Sequence, residues 1–197
     1  MNHLAHFFLA GQDPDLLVGG FLGDYVKGRL RGERMHAIEA GIKLHRSIDA
    51  FTDSHSITRS SQRRFESRFR RVSGIMTDII YDHFLAIHWK DYHHLELQAF
   101  SDTTFEVLLA GTEHFPDIAV RSCVRMHEAN TLIHYRSEEF VDRSLIYLSR
   151  RLSRDNPLSE GYVQFVNNRK ELESDFQAFF PDLINFVENW KLESRSH

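Results

Sequence analysis

The chain has little of what stabilises secreted or membrane-inserted proteins. Its 197 residues include one cysteine and four prolines. A lone Cys123 excludes an internal disulfide framework and fits a reducing compartment, so a cytoplasmic location is expected. No apolar run is long enough to span a bilayer. The opening N-H-L-A-H-F-F-L-A lacks the basic region of a signal peptide. Runs of Val, Ile and Thr alternating with polar residues, which would mark strands, do not recur. There is no Walker-type phosphate loop, dinucleotide-binding glycine fingerprint or Gly-x-Ser-x-Gly elbow, and His127-Glu128 lacks the second histidine of a metalloprotease motif.

What remains is ordinary in bulk and distinctive in detail. Apolar residues make up 42% and charged residues 26%, with sixteen Phe and a net charge of −4. This is the balance of a globular chain, and its length suits one domain over 1–197. Apolar positions recur at spacings of three and four, which predicts an all-α helical bundle. Helices are expected over 2–11, 14–28, 34–53, 56–70, 74–92, 96–111, 117–130, 138–153, 158–178 and 181–192. Asp13-Pro14 and Asn156-Pro157 have the form of a helix cap followed by proline at the first helical position. Pro116 and Pro181 fall at expected joints.

The most informative segment is L-H-R-S-I-D-A-F-T-D at 44–53. On a helix His45, Asp49 and Asp53 are four apart and form one polar stripe beside Leu44, Ile48 and Phe51. Asp78 and Asp82 form a second carboxylate pair, with His83 adjacent. Such groups in apolar stretches are costly to bury unless they meet a cation or each other. Asp24 follows the apolar, glycine-rich G-G-F-L-G, whose small residues leave room beside it. Asp24, His45, Asp49, Asp82 and His83 are therefore the strongest candidate set for a divalent cation such as Mn²⁺, Mg²⁺, Fe²⁺ or Zn²⁺. Arg46 is placed to grip phosphoryl oxygens, and Asp49 or His6 to orient a water or accept its proton. The competing reading is a buried His–Asp–Arg network that only fixes helix packing. Of the other histidines, His93, His94, His114, His127 and His197 are expected at the surface.

Charge is unevenly spread. From Arg59 to Arg71 six arginines face one glutamate, a run that attracts an acidic partner or forms a solvated helix face. Phe65 and Phe69 are spaced to anchor it, which turns arginines such as Arg59, Arg63, Arg64, Arg68 and Arg71 outward.

Met1-Asn2…Leu4-Ala5-His6, Gly23-Asp24, Gly41-Ile42…His45-Arg46…Ile48-Asp49…Thr52-Asp53 and Asp82-His83-Phe84-Leu85…His88-Trp89 together resemble the bacterial acyl carrier protein phosphodiesterases, also called acyl carrier protein hydrolases. The resemblance extends to Tyr135-Arg136 and the last helices. It implies a phosphodiesterase, typically manganese-dependent, that releases 4′-phosphopantetheine from holo acyl carrier protein. It also implies similarity to the HD-type phosphohydrolases, all-helical enzymes that bind metal through two His and two Asp. Asp24, His45, Asp82 and His83 map onto that set, although no His-Asp dipeptide occurs here and Asp82-His83 runs in reverse. Acyl carrier proteins are acidic, so the arginine run is the expected docking surface, with no nucleic acid or membrane as partner. The alternatives are a hydrolase of a nucleotide or other small phosphodiester, and a non-catalytic helical module that binds an acidic protein.

Overall fold

The computed structural model describes residues 1–195; His197 lies outside them. The described residues are helical and contain no strand, as the periodicity predicts. Among them no helix is long and apolar enough to cross a membrane. In chain order the helices are α1 His3–Ala10, α2 Pro14–Leu22, α3 His36–Ser54, α4 Ser56–Arg64, α5 Ser73–Ile87, α6 Trp89–Tyr92, α7 Leu97–Ala110, α8 Asp117–Glu128, α9 Thr131–His134, α10 Glu138–Arg151, α11 Gly161–Asn167 and α12 Arg169–Arg195.

Helix α1 runs through the core. Leu4, Ala5, Phe7, Leu9 and Ala10 are buried, so it is apolar nearly all round, as an internal helix must be. Asp13 caps α2 as expected, accepting from the backbone N–H groups of Asp15 and Leu16. Helix α2 stops at Leu22 rather than continuing to 28, and Gly23 closes it. The basic, glycine-containing stretch to Arg34 has no apolar stripe to bury and forms a loop.

Helices α2 and α3 pack with their backbones in near contact. A Cβ built on Gly19 would lie 2.2 Å from the Ile38 carbonyl oxygen, and one on Gly41 would lie 2.8 Å from Gly19 Cα. Only glycine fits at both places. Helix α3 buries Ile38, Ile42, Leu44, Ile48 and Thr52, and His45 lies within that same inward stripe.

Two expected breaks fall elsewhere. The segment 158–178 divides near Asn168, whereas Pro181 sits inside the continuous α12. A proline in a helix interior costs roughly 3 kcal/mol. Here Phe176, Phe179, Phe180, Leu183 and Val187 are all buried. Each contributes on the order of 1.5–3 kcal/mol, enough together to carry the helix through. Expected helix 56–70 ends at Arg64, followed by a short 3₁₀ turn that buries Phe69.

Candidate metal centre

Three helices bring the site together. Helix α3 presents His45 and Asp49 one turn apart, α1 presents His6 opposite them, and the end of α2 presents Asp24. Asp49 is the hub. Its Oδ1 lies 3.1 Å from His6 Nε2 and its Oδ2 lies 3.2 Å from His45 Nε2. The two imidazoles stack with centroids 3.9 Å apart and planes 15° from parallel. Asp24 Oδ1 is 3.8 Å from His45 Nε2, and Asp24 Oδ2 is 3.7 Å from His3 Nδ1. With the proton on Nε2, each ring donates to Asp49, and the bare Nδ1 atoms of His6 and His45 are buried without a partner.

The electrostatics follow from this packing. Burial, reinforced by the His45 ring, pushes His6 down to about 4, so its imidazole is neutral at ordinary pH. Burial alone would raise Asp49, but hydrogen bonds from His45 and His6 overcome it and hold the carboxyl well below the usual carboxylate range. A neutral imidazole and an ionised carboxylate are the protonation states that bind metal. Asp53 is pushed upward by burial and by the nearby Asp78. The Met1 ammonium lies 2.8 Å from Asp78 Oδ1 and 3.8 Å from Asp49 Oδ1. Burial would lower this amine, but Asp78 and Asp49 leave it raised to about 10.

A cavity of about 220 Å³ opens here, lined by Met1, Asn2, His6, Asp24, His45, Asp49, Asp53 and Asp78. Four carboxylates around so small a space outnumber the one Met1 ammonium, and the negative charge left over favours a cation. One ligand atom each from His6, His45 and Asp49 lies within 4.8 Å of the others, close enough to share an ion. Asp24 supplies a further oxygen on the His45 side. This donor set of two imidazoles and carboxylates fits Mn²⁺, Mg²⁺, Fe²⁺ or Zn²⁺.

The glycine before Asp24 has a specific role. A Cβ on Gly23 would lie 2.2 Å from His45 Cγ, 2.4 Å from Cδ2 and 2.7 Å from Nδ1. Gly23 thus clears the place that the His45 ring occupies. The room expected around Asp24 is taken up by the His45 imidazole.

Among the described residues the structure gathers His6, His45 and Asp49 rather than the expected set Asp24, His45, Asp82 and His83. Asp82 accepts from the backbone N–H groups of Asn2 (3.1 Å), Leu4 (2.7 Å) and Ala5 (3.4 Å). It satisfies the exposed donors at the start of α1 and fixes the helix that carries His6. Burial pushes Asp82 up to about 7, against the Met1 ammonium and these N–H groups, which favour the anion. His83 turns the other way. Its Nδ1 is 2.7 Å from the Tyr135 carbonyl oxygen, and its ring packs edge-on against Phe165. Arg46 is held too, donating to the Val26 carbonyl oxygen at 2.8 Å, and it does not line the cavity. It ties down the loop after Asp24 rather than facing a phosphoryl group.

The arginine run is split by its partners. Arg64 makes a two-pronged contact with Asp175, at 2.8 and 3.0 Å. Arg68 lies between Glu66 and Glu160. Both are committed to structure. Arg59 donates to the Asp53 carbonyl oxygen at 3.2 Å, and among the described residues no carboxylate pairs with Arg63, Arg70 or Arg71. Arg59, Arg63 and Arg70 line an open hollow of about 370 Å³ together with Gln62 and Ser67. Arg59, on the wall of this hollow, is hydrogen-bonded to the backbone of Asp53, which lines the carboxylate cavity.

Comparison with known proteins bears on this geometry. Acyl carrier protein phosphodiesterases of Serratia proteamaculans and Photorhabdus laumondii are each 30% identical to the chain. The first aligns over 98% of this chain and 100% of its own length, the second over 96% of both. That of Escherichia coli O139:H28 is 29% identical over 93% of this chain and 96% of its own. No solved structure matches the chain. The profile of the family described as acyl carrier protein phosphodiesterase matches residues 1–183, and the chain belongs to that family.

Proposed function

We propose that this chain hydrolyses the phosphodiester that joins 4′-phosphopantetheine to the serine of acyl carrier protein, using a divalent cation, most simply Mn²⁺, held by His6, His45, Asp49 and Asp24. The observation that carries the reading is the convergence of two imidazole Nε2 atoms on one carboxylate inside an acid-walled cavity.

A cation held there would supply Lewis-acid chemistry, lowering the pKa of a water toward neutrality and polarising the phosphoryl oxygen. The side chains divide the remaining work. His6 and His45 would hold the cation through ring nitrogens, His6 as a neutral imidazole. Asp82 positions His6 by anchoring the start of α1, and Gly23 positions His45 by leaving its ring unobstructed. Asp53, on the cavity wall with its proton affinity raised by burial and by Asp78, takes the proton of the attacking water. His6 and Asp49, considered from sequence as proton acceptors, serve as ligands in this assignment.

The substrate is an acidic protein, and the arginines of the hollow, which meet no carboxylate among the described residues, suit it. Arg59, Arg63 and Arg70 form the docking face, while Arg64 and Arg68 are excluded by their own ion pairs. The test is incubation of purified protein with holo acyl carrier protein and Mn²⁺, followed by mass spectrometry. A mass loss equal to the prosthetic group, abolished by chelation and by His45→Ala, supports the proposal. An unchanged carrier protein with every divalent metal refutes it.

A further inference from the structure

A second cavity, of about 350 Å³, lies between α8 and α10 beside the start of α1. Its wall includes Asn2, which also lines the carboxylate cavity, and His3, whose ring faces Asp24. The two spaces therefore meet at Asn2. The volume falls within the range of about 300–1,000 Å³ typical of small-ligand sites.

The lining is mixed in a particular way. Arg125 and Arg151 offer N–H donors, Ser122 and Ser144 offer hydroxyls, and Met126 and Leu148 offer apolar contact. Among the described residues no carboxylate pairs with either arginine. Both arginines occupy last helical turns, where the macrodipole favours a cation. That preference accounts for their charge but not for the hydroxyl-and-methionine hollow between them.

Resting on the reading that the substrate is holo acyl carrier protein, we infer that this cavity binds the pantetheine arm. The arginines and serines meet its amide and hydroxyl groups, and Met126 and Leu148 meet its geminal methyls. The substrate then has a direction. Its protein side lies toward Arg59, Arg63 and Arg70, its phosphoryl group lies among His6, His45 and Asp49, and its arm runs past His3 into the cavity between α8 and α10. A small phosphodiester without an arm reaches only the middle of these three places.

Binding of free 4′-phosphopantetheine, measured by calorimetry with Mn²⁺ present, tests this without relying on turnover. The native protein should bind it. Arg125→Ala/Arg151→Ala and the cavity-filling Ser144→Trp should each bind at least tenfold more weakly, with turnover of bis(p-nitrophenyl) phosphate and inhibition by apo acyl carrier protein unchanged. Native protein that does not bind 4′-phosphopantetheine overturns the inference, as do variants that bind it equally well. Weakened inhibition by apo carrier protein with unaltered 4′-phosphopantetheine binding would make the cavity a protein-docking face, which also overturns it. Failure of the proposed function shows separately, as native protein that leaves holo carrier protein intact.

Discussion

Replacing Gly23 with alanine adds one methyl group at the place where the site has no room for it. The new Cβ would lie 2.2 Å from His45 Cγ, whereas carbon atoms in contact sit about 3.5–4.0 Å apart. The imidazole must therefore retreat by more than ~1 Å. The His45 Nε2–Asp49 Oδ2 distance is 3.2 Å, so such a retreat breaks that contact. A displacement of about 1 Å in a catalytic constellation can cost ~100-fold in rate. The cost in stability is much smaller. Overpacking costs about 1–3 kcal/mol, and alanine offsets up to about 1 kcal/mol of this by restricting the unfolded chain. Gly23 has φ −52° and ψ −35°, so alanine fits the backbone. With the full offset, the net loss of about 0–2 kcal/mol lowers Tm by at most ~8 °C at this chain size. Gly20→Ala is the matched control, because its Cβ would meet nothing within 4 Å. It should leave activity intact and raise Tm slightly. The assays are Mn²⁺ calorimetry, release of 4′-phosphopantetheine by mass spectrometry, and thermal melting. A Gly23→Ala protein with native Mn²⁺ affinity and native turnover would refute the role given to this glycine and to the His45 position.

Four further outcomes are expected. Asp49→Ala should abolish measurable Mn²⁺ binding with a melting temperature near native, and retained affinity would remove Asp49 as the hub. Asp53→Asn should lower kcat while leaving Mn²⁺ affinity within a fewfold, and should flatten the acid limb of the pH–rate profile; an unaltered profile would exclude it as the proton acceptor. Charge reversal at Arg63 and Arg70 should raise KM for holo carrier protein without changing turnover of a small diester, whereas Arg64→Ala should lower Tm and leave KM near native. The stability of the metal-free protein should carry two opposing pH dependences. His6 is held down to about 4 against about 6.5 unfolded, so its contribution is present above 6.5 and is lost as pH falls toward 4. Asp82 is pushed up to about 7 against about 3.9 unfolded, so its contribution is greatest in acid and is lost as pH rises through 7. Asp82→Asn should therefore lower the urea midpoint more at pH 5 than at pH 7.5, and a deficit that grows with pH would reverse the sign.

Much of the fold is local and could be read directly. Apolar spacing marks α1, α3, α7 and α8 to within a few residues, and Asp13-Pro14 signals the start of α2. His45, Asp49 and Asp53 are grouped by helical geometry alone, and His6 stands out as an imidazole within an apolar helix. What the sequence hides depends on partners far along the chain. Arg63 and Arg64 are neighbours with the same charge, yet Asp175, 111 residues away, holds only the second. Pro181 is an ordinary helix breaker by local rules, and only the aromatic core around α12 overrides it. Gly23 is one of several glycines until the His45 ring is seen beside it.

Asp82 and Asp49 show why sequence alone does not tell which acids gather at the cavity. Both are aspartates one helical turn beyond another polar group, in stretches that bury apolar residues on either side. Each must recover the solvation it loses on burial. A cation, an imidazole N–H and the first N–H groups of a helix all serve that need, because each presents positive charge to the carboxylate. From sequence the three solutions look alike. They differ in what the carboxylate can still bind. Asp82 is fully enclosed and receives three backbone N–H groups, so a metal there would have to displace the start of α1. Asp49 receives two imidazoles and keeps 42% of its side chain exposed, so an ion can enter from the cavity and replace protons rather than backbone. One acid therefore holds the scaffold and the other is left available for chemistry. Removing them should separate the two roles, with Asp82→Ala losing folded protein and Asp49→Ala losing metal.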